Sequence, residues 1–139
     1  MGEVKVTVEL ENTVDAIMAR RQRLDTVHVR RCSVGLLVDT GAVLMMLPQD
    51  LVETLGLEQD GKVIVTYADE RREERPLAGP ITVKVGNRAT TVTCVVGPPN
   101  SEPLLGQIVL EALDLLVDSG RQQLVPRPES PFLPLLKMK

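Results

Sequence analysis

The sequence predicts a single all-β domain of about seven short strands with two small helices. Its 139 residues are 43% hydrophobic, mainly Val and Leu, with only one Tyr and one Phe. β-Branched residues favour strands, while the ten Gly and ten Pro favour turns. Several segments also alternate apolar and polar residues, the period of a strand with one buried face. A chain of this length is typical of one domain.

The predicted strands follow this alternation along the chain. Residues 4–10 place three Val and one Leu on one face, with Lys, Thr and Glu between them. Gly86-Asn87 is a two-residue hairpin signal between two such segments. The charged stretch 69–75 predicts a solvated hairpin tip. The predicted strands cover residues 4–10, 27–34, 35–38, 62–67, 81–85, 88–96, 115–117 and 122–125.

Two short helices are predicted, at residues 48–55 and 107–113. Pro48 suits the first turn of the earlier helix, and Gly56 suits its left-handed end. The polar and basic segment 12–26 predicts one or two further helical turns.

The end of the chain differs in composition from the rest. Four of its last fourteen residues are Pro, which predicts an extended segment rather than a helix or a central strand. We therefore predict one domain over residues 1–125 and a Pro-rich C-terminal tail over residues 126–139.

Composition also limits the partners and the location. A net charge of −3 and the scarcity of aromatic residues argue against nucleic-acid binding. The N-terminus lacks the basic start and apolar region of a signal peptide, and no apolar run reaches membrane-spanning length. We expect a cytoplasmic protein without membrane association, in which Cys32 and Cys94 are reduced core thiols.

The sequence lacks the residues that most catalytic mechanisms require. A single histidine, His28, rules out a multi-histidine metal site and suits a structural or exposed position. Neither a Cys-x-x-Cys pair nor a Gly-rich phosphate loop is present. We therefore expect neither a metal nor a cofactor.

Asp39 is the acid that remains as a candidate. It follows the apolar residues Leu36-Leu-Val38 and precedes Thr40 and Gly41, so it lies at the exit of a buried strand. Glycine permits a tight turn that brings its N–H close to the carboxylate, and a Thr hydroxyl can fix the loop. Asp and Gly also favour ordinary turns, so Asp39 capping a turn without chemistry is the simpler alternative.

The order of several motifs resembles the retropepsin-like aspartic proteases. Residues 37–42 read Leu-Val-Asp-Thr-Gly-Ala, a charged hairpin follows, and Leu104-Leu-Gly106 precedes a helix and a final strand. The bacterial and archaeal single-domain members are the most similar, and the resemblance covers about residues 27–125. It implies a small closed β-barrel with one or two short helices that acts as a homodimer and hydrolyses polypeptides.

The same resemblance implies roles for individual residues. Thr40 would bond across the dimer, residues 104–106 would pack behind the Asp39 loop, and the hairpin at 67–75 would be a flap over the substrate. The implied catalytic residues are Asp39, Thr40 and Gly41, and the implied substrate-binding residues are Ala42, Tyr67, Ala68 and Asp69.

A second stretch, Leu115-Leu-Val-Asp-Ser-Gly120, looks like a copy of the first. A two-lobed protease would need a second barrel half after Asp118, but only residues 121–139 follow it. Asp118 is therefore expected to begin a turn between two strands. Since the aspartic protease mechanism needs two carboxylates that share a proton, the partner of Asp39 must be Asp39 of a second chain.

Two departures from the family pattern leave an alternative open. Val43 stands where the family often has Ser or Thr, and the tip at 69–75 is more charged than a Gly-rich flap. The leading hypothesis is a homodimeric aspartic endopeptidase. The alternative is a catalytically weak or inactive retropepsin-like module for dimerisation or peptide binding.

Overall fold

A computed structural model describes residues 3–138 and contains nine strands. They are β1 (Lys5–Asn12), β2 (Arg31–Val38), β3 (Met45–Pro48), β4 (Glu58–Thr66), β5 (Arg72–Val85), β6 (Arg88–Gly97), β7 (Leu104–Leu105), β8 (Leu115–Asp118) and β9 (Gln123–Pro126). Six strands pair in the order β1-β2-β7-β3-β6-β5, and a further pairing of β1 with β5 closes the ring. The predicted all-β class and closed barrel are therefore confirmed.

Three short α-helices accompany the barrel: α1 (Thr13–Arg20), α2 (Gln49–Thr54) and α3 (Gln107–Leu113). The last two match the predicted helices within about a residue. The first spans about two turns, as the sequence suggested, and the Asn12 side chain caps it by accepting the Asp15 N–H at 3.0 Å. Every helix within residues 3–138 falls short of the length and apolar character that a membrane crossing requires.

Several predicted boundaries were wrong. The strands expected at 27–34 and 35–38 are one strand, β2, and residues 26–28 form a 3₁₀ turn that carries the exposed His28. Strands β3 and β7 were not predicted, because short segments buried in a sheet interior show no alternation. Residues 72–75 belong to β5 rather than to a turn. That part of β5 pairs only with β4, and both lie outside the closed ring.

The core fills the barrel and the space under α2 and α3. Leucine, isoleucine, valine and methionine side chains dominate it, and each one fully buried contributes about 1.5–3 kcal/mol. Both cysteines are free thiols, as predicted. Burial raises the pKa of the Cys94 thiol to about 12. The largest fully buried side chains are Leu10, Leu36, Met45, Leu47, Leu55, Ile81, Leu105 and Leu113.

The end of the chain lies against the body of the protein. Residues 127–138 form neither helix nor strand, but Ser130 is buried and Arg127 pairs with Asp114 beyond α3. The division into residues 1–125 and 126–139 stays a prediction, and Lys139 lies outside the described residues.

Candidate active site

Asp39 lies directly after the last residue of β2, a strand paired on both sides. Strand β1 is antiparallel to β2, and β7 is parallel to its end, with Val38 opposite Leu105. The Asp39 N–H continues this pairing and donates to the Leu105 carbonyl at 3.0 Å. The backbone of the acid is therefore held by the barrel itself, while its half-buried side chain lies at the barrel rim.

The loop after Asp39 turns back on the carboxylate. The Gly41 N–H donates to Asp39 Oδ1 at 3.0 Å, as the sequence suggested, and the Ala42 N–H donates to the Asp39 carbonyl at 3.1 Å. A Cβ on Gly41 would lie only 3.3 Å from Oδ1, so glycine suits this close approach. Among residues 3–138, Asp39 Oδ2 accepts no hydrogen bond, which leaves this oxygen open for chemistry.

Gly106 packs against the back of the same loop. A Cβ at this position would lie 2.5 Å from the Leu44 carbonyl oxygen and 2.9 Å from that of Ala42. Side-chain carbons do not approach backbone so closely, so residue 106 can only be glycine if the loop keeps its shape. The predicted packing of residues 104–106 behind the Asp39 loop is therefore confirmed.

The start of α3 completes the hold on the loop. The Gln107 N–H donates to the Ala42 carbonyl at 2.7 Å, and the Ile108 N–H donates to the Val43 carbonyl at 3.1 Å. The first N–H groups of a helix have no partner inside the helix. Here the Asp39 loop supplies the acceptors, so the helix end and the loop satisfy each other.

Residues 67–69 occupy the tip of the β4–β5 hairpin. The Tyr67 hydroxyl donates to Glu73 at 3.0 Å, and the Arg71 guanidinium lies 4.6 Å from the centre of the Tyr67 ring. Burial and the bond to Glu73 raise the pKa of Tyr67. No hydrogen bond joins residues 67–71 to residues 39–42 in the described chain. The predicted substrate-binding tip and the Asp39 loop are thus each held by their own hydrogen bonds.

The structure also shows the surroundings of Val43 and Asp118. The Val43 side chain is 68% exposed, while its carbonyl accepts the bond from α3. Asp118 ends β8 in an antiparallel hairpin with β9, and its carboxylate accepts the Arg121 N–H at 3.1 Å. The prediction that Asp118 begins a turn is confirmed.

Sequence reasoning missed a groove of about 330 Å³ that begins at Thr40. The groove runs along α3 and reaches the tail at Arg127. The apolar spacing of α3 hinted at a buried helix face, but no sequence signal connected the helix to the tail. The lining residues are Thr40, Gln107, Leu110, Glu111, Asp114, Leu115, Leu116, Val117 and Arg127.

Asp114 was also missed, although an acid directly after an apolar helix is an unusual feature. It has left-handed backbone geometry with φ of 55°, and its carboxylate accepts bonds from Arg127 Nε, the Ser130 hydroxyl and the Leu135 N–H. These donors, Arg127 foremost, hold the pKa of Asp114 well below its ordinary value. The carboxylate is therefore a structural anion rather than a candidate acid.

Comparison with known proteins agrees with this geometry. A family model described as aspartyl protease matches residues 13–109, which include the Asp39 loop and Gly106. The structure is similar to EIAV protease complexed with the inhibitor HBY-793, with a TM-score of 0.54 and 16% sequence identity. That match covers 79% of this chain and 86% of the viral one, and it shows a common fold. No curated protein sequence matches this chain.

Proposed function

Because the chain belongs to the aspartyl protease family and has the retropepsin fold, we propose that it is a homodimeric aspartic endopeptidase. The observation that carries the proposal is the single Asp39 loop, held by β7 and α3 with one carboxylate oxygen free. Asp118 is engaged in a hairpin turn and offers no second site. The second carboxylate therefore comes from the Asp39 of a second chain, across a two-fold axis.

The proposed chemistry uses the two Asp39 carboxyl groups as a pair. Two carboxylates placed close together cannot both be ionised easily, so they share one proton. The ionised group takes a proton from water while the water oxygen attacks the peptide carbonyl carbon, and the protonated group polarises the carbonyl oxygen. Collapse of the tetrahedral species breaks the C–N bond, and the leaving nitrogen receives the proton that the first carboxyl group took from water.

The loop residues have supporting roles in this proposal. The Gly41 N–H orients one carboxylate oxygen at 3.0 Å. The exposed Thr40 hydroxyl bonds across the axis to the partner's Thr40 loop, which keeps the two carboxyl groups in register. The substrate is an extended polypeptide that lies beside Ala42 and is covered by residues 67–69 of the β4–β5 hairpin. The segment 122–125 contributes to the subunit interface.

The proposal also includes the partners and the location of the protein. The partners are a polypeptide substrate and a second copy of the chain, rather than nucleic acid or a membrane, and the location is the cytoplasm. The net charge of −3 and the low aromatic content support the exclusion of nucleic acid.

The direct test is cleavage of an unfolded protein by the full chain at several pH values, beside the Asp39→Asn variant. We expect peptide products under acidic conditions from the wild type and none from the variant. Mass spectrometry of the products would locate the cleaved bonds. A wild-type protein that dimerises but cuts nothing would favour the inactive dimerisation or peptide-binding module instead.

A further inference from the structure

Helix α3 is held at both of its ends. Its first N–H groups bind the Asp39 loop, and its last carbonyl groups bind Arg88 of β6. Arg88 Nη1 donates to the carbonyls of Leu113 and Asp114 at 2.9 and 2.8 Å, and Nη2 donates to the Ser130 carbonyl. The last carbonyls of a helix lack partners inside the helix and attract cations. Arg88 is only 3% exposed, so it is a buried cation that joins its own strand β6 to the end of α3 and to the tail.

The Asp114 side chain makes a second connection at the same place. Its carboxylate binds Arg127, the Ser130 hydroxyl at 2.6 Å and the Leu135 N–H at 2.8 Å. Asp114 is 8% exposed and Ser130 is buried, so the bond between them is shielded from water, while the bonds to Arg127 and Leu135 are partly buried. We call Arg88, Asp114, Arg127 and Ser130 the C-terminal clamp, because they tie the end of α3 to the barrel and to the tail.

The clamp and the Asp39 loop are connected by one short, straight element. Seven residues of α-helix span about 10 Å, so a shift or rotation of one end of α3 is transmitted to the other. Thr40 and Arg127 also line the same groove along the helix. The three clamp residues after α3 lie outside residues 13–109, the range that the family model matches.

We propose that the C-terminal clamp positions the Asp39 loop through α3, so that the tail is part of the catalytic unit. This inference rests on the proposed protease function. The clamp residues do not touch substrate in this scheme. They are positioning residues, and they act through the Gln107 and Ile108 N–H groups that hold the loop carbonyls.

The chain provides a matched pair of substitutions to test the clamp. Asp114→Asn keeps the size of the side chain and tolerates the left-handed backbone, but its amide opposes the donors around it. Asp118→Asn is the same change in an exposed turn. We expect Asp114→Asn to lower kcat by about tenfold or more, with KM within about twofold, because a misplaced acid slows the reaction without weakening substrate binding. Asp118→Asn should change neither.

A second matched pair separates the clamp from a general effect of charge. Arg127→Gln removes the cation that binds Asp114. Arg121→Gln removes the cation beside Asp118, and the Arg121 side chain is 78% exposed. Loss of kcat in Arg127→Gln but not in Arg121→Gln is the expected result. An unchanged kcat in both Asp114→Asn and Arg127→Gln overturns the proposal.

Amide hydrogen exchange gives a readout that does not depend on activity. In Asp114→Asn we expect faster exchange at Gln107 and Ile108 while the barrel amides of Val83 and Leu36 stay protected. Faster exchange throughout the barrel means a general loss of stability, and unchanged exchange at Gln107 and Ile108 means no link; either result overturns the proposal. If the wild type cuts no protein, the protease proposal fails, but this measurement still tests whether the clamp holds the loop.

Discussion

Two stretches of this chain have nearly the same sequence and entirely different surroundings. Val-Asp-Thr-Gly at 38–41 and Val-Asp-Ser-Gly at 117–120 both follow an apolar strand. In both, the carboxylate accepts a backbone N–H from the turn that follows. The first strand is paired on two sides, whereas β8 is paired only with β9. The local turn is thus common to both, and the surrounding structure distinguishes them.

The difference lies in what packs behind each loop. Behind Asp39 lie the carbonyl of Leu105, the close approach of Gly106 and the first N–H groups of α3. A Cβ on Gly120 would make an ordinary contact of 3.5 Å with Asp118 Oδ1, and no helix end supports that turn in the described chain. An acid can act as a catalyst only if its position is fixed, and only the first loop has that support.

The largest expected effect comes from removing each acid in turn. Asp39→Asn should lower peptide cleavage by about a thousandfold or more while the fold persists, because the shape of the loop remains but the proton acceptor is lost. Asp118→Asn should leave activity within a few-fold. Rates on one peptide substrate, with circular dichroism as the folding control, would measure both. Equal losses would show that the two loops are equivalent and that the half-site proposal is wrong.

Glycine substitutions compare the packing behind the two loops. Gly106→Ala should lower activity by about a hundredfold and stability by about 1–3 kcal/mol, because the new methyl group meets the Leu44 carbonyl at 2.5 Å. Gly120→Ala should change stability by less than about 0.5 kcal/mol. Denaturant unfolding of both variants checks this. Tolerance of alanine at residue 106 would mean that the loop is not held as tightly as described.

We also expect activity to depend on a second chain through the Asp39 loop but not through the Asp118 turn. If each chain has only the Asp39 half-site, mixing wild type with a fourfold excess of Asp39→Asn should reduce wild-type activity to about one fifth, since most chains then pair with the variant. The same excess of Asp118→Asn should add activity instead. Specific activity should also fall on dilution into the monomer range. A wild-type rate that does not respond to the variant or to dilution would indicate a complete site in one chain.

A smaller effect is expected on stability in acid. Asp114 has a lowered pKa in the folded protein, so its stabilising contribution is complete above its unfolded pKa of about 3.9 and is lost as the pH falls toward the folded value. The difference in unfolding free energy between wild type and Asp114→Asn should be constant from about pH 7 to 5 and shrink below about pH 4. Urea unfolding at each pH would measure it. A difference that grows as the pH falls would contradict the assignment.

The tight turn at Asp39 and the packing of Gly106 behind it agree with what residues 35–48 and 104–106 suggested, while the catalytic and substrate-binding roles stay predictions. An isolated acid after an apolar run, followed by Thr and Gly, has few roles apart from a turn or a catalytic loop, and the later Leu-Leu-Gly supports the second. The hairpin turn at Asp118 also followed from the sequence, because Asp-Ser-Gly between two short apolar segments favours a turn. Strands β3 and β7 could not be predicted, since buried strands of two to four residues show no alternation.

The sequence by itself determined the all-β class and the position of the candidate acid, because strand alternation and turn residues are local properties. Tertiary structure alone decided that the first N–H groups of α3 support the Asp39 loop and that Arg88 and Asp114 join the tail to that helix. These contacts connect segments far apart in the chain, and their partners are backbone N–H and carbonyl groups that every residue has. No residue pattern marks such partners, so only the folded chain identifies them.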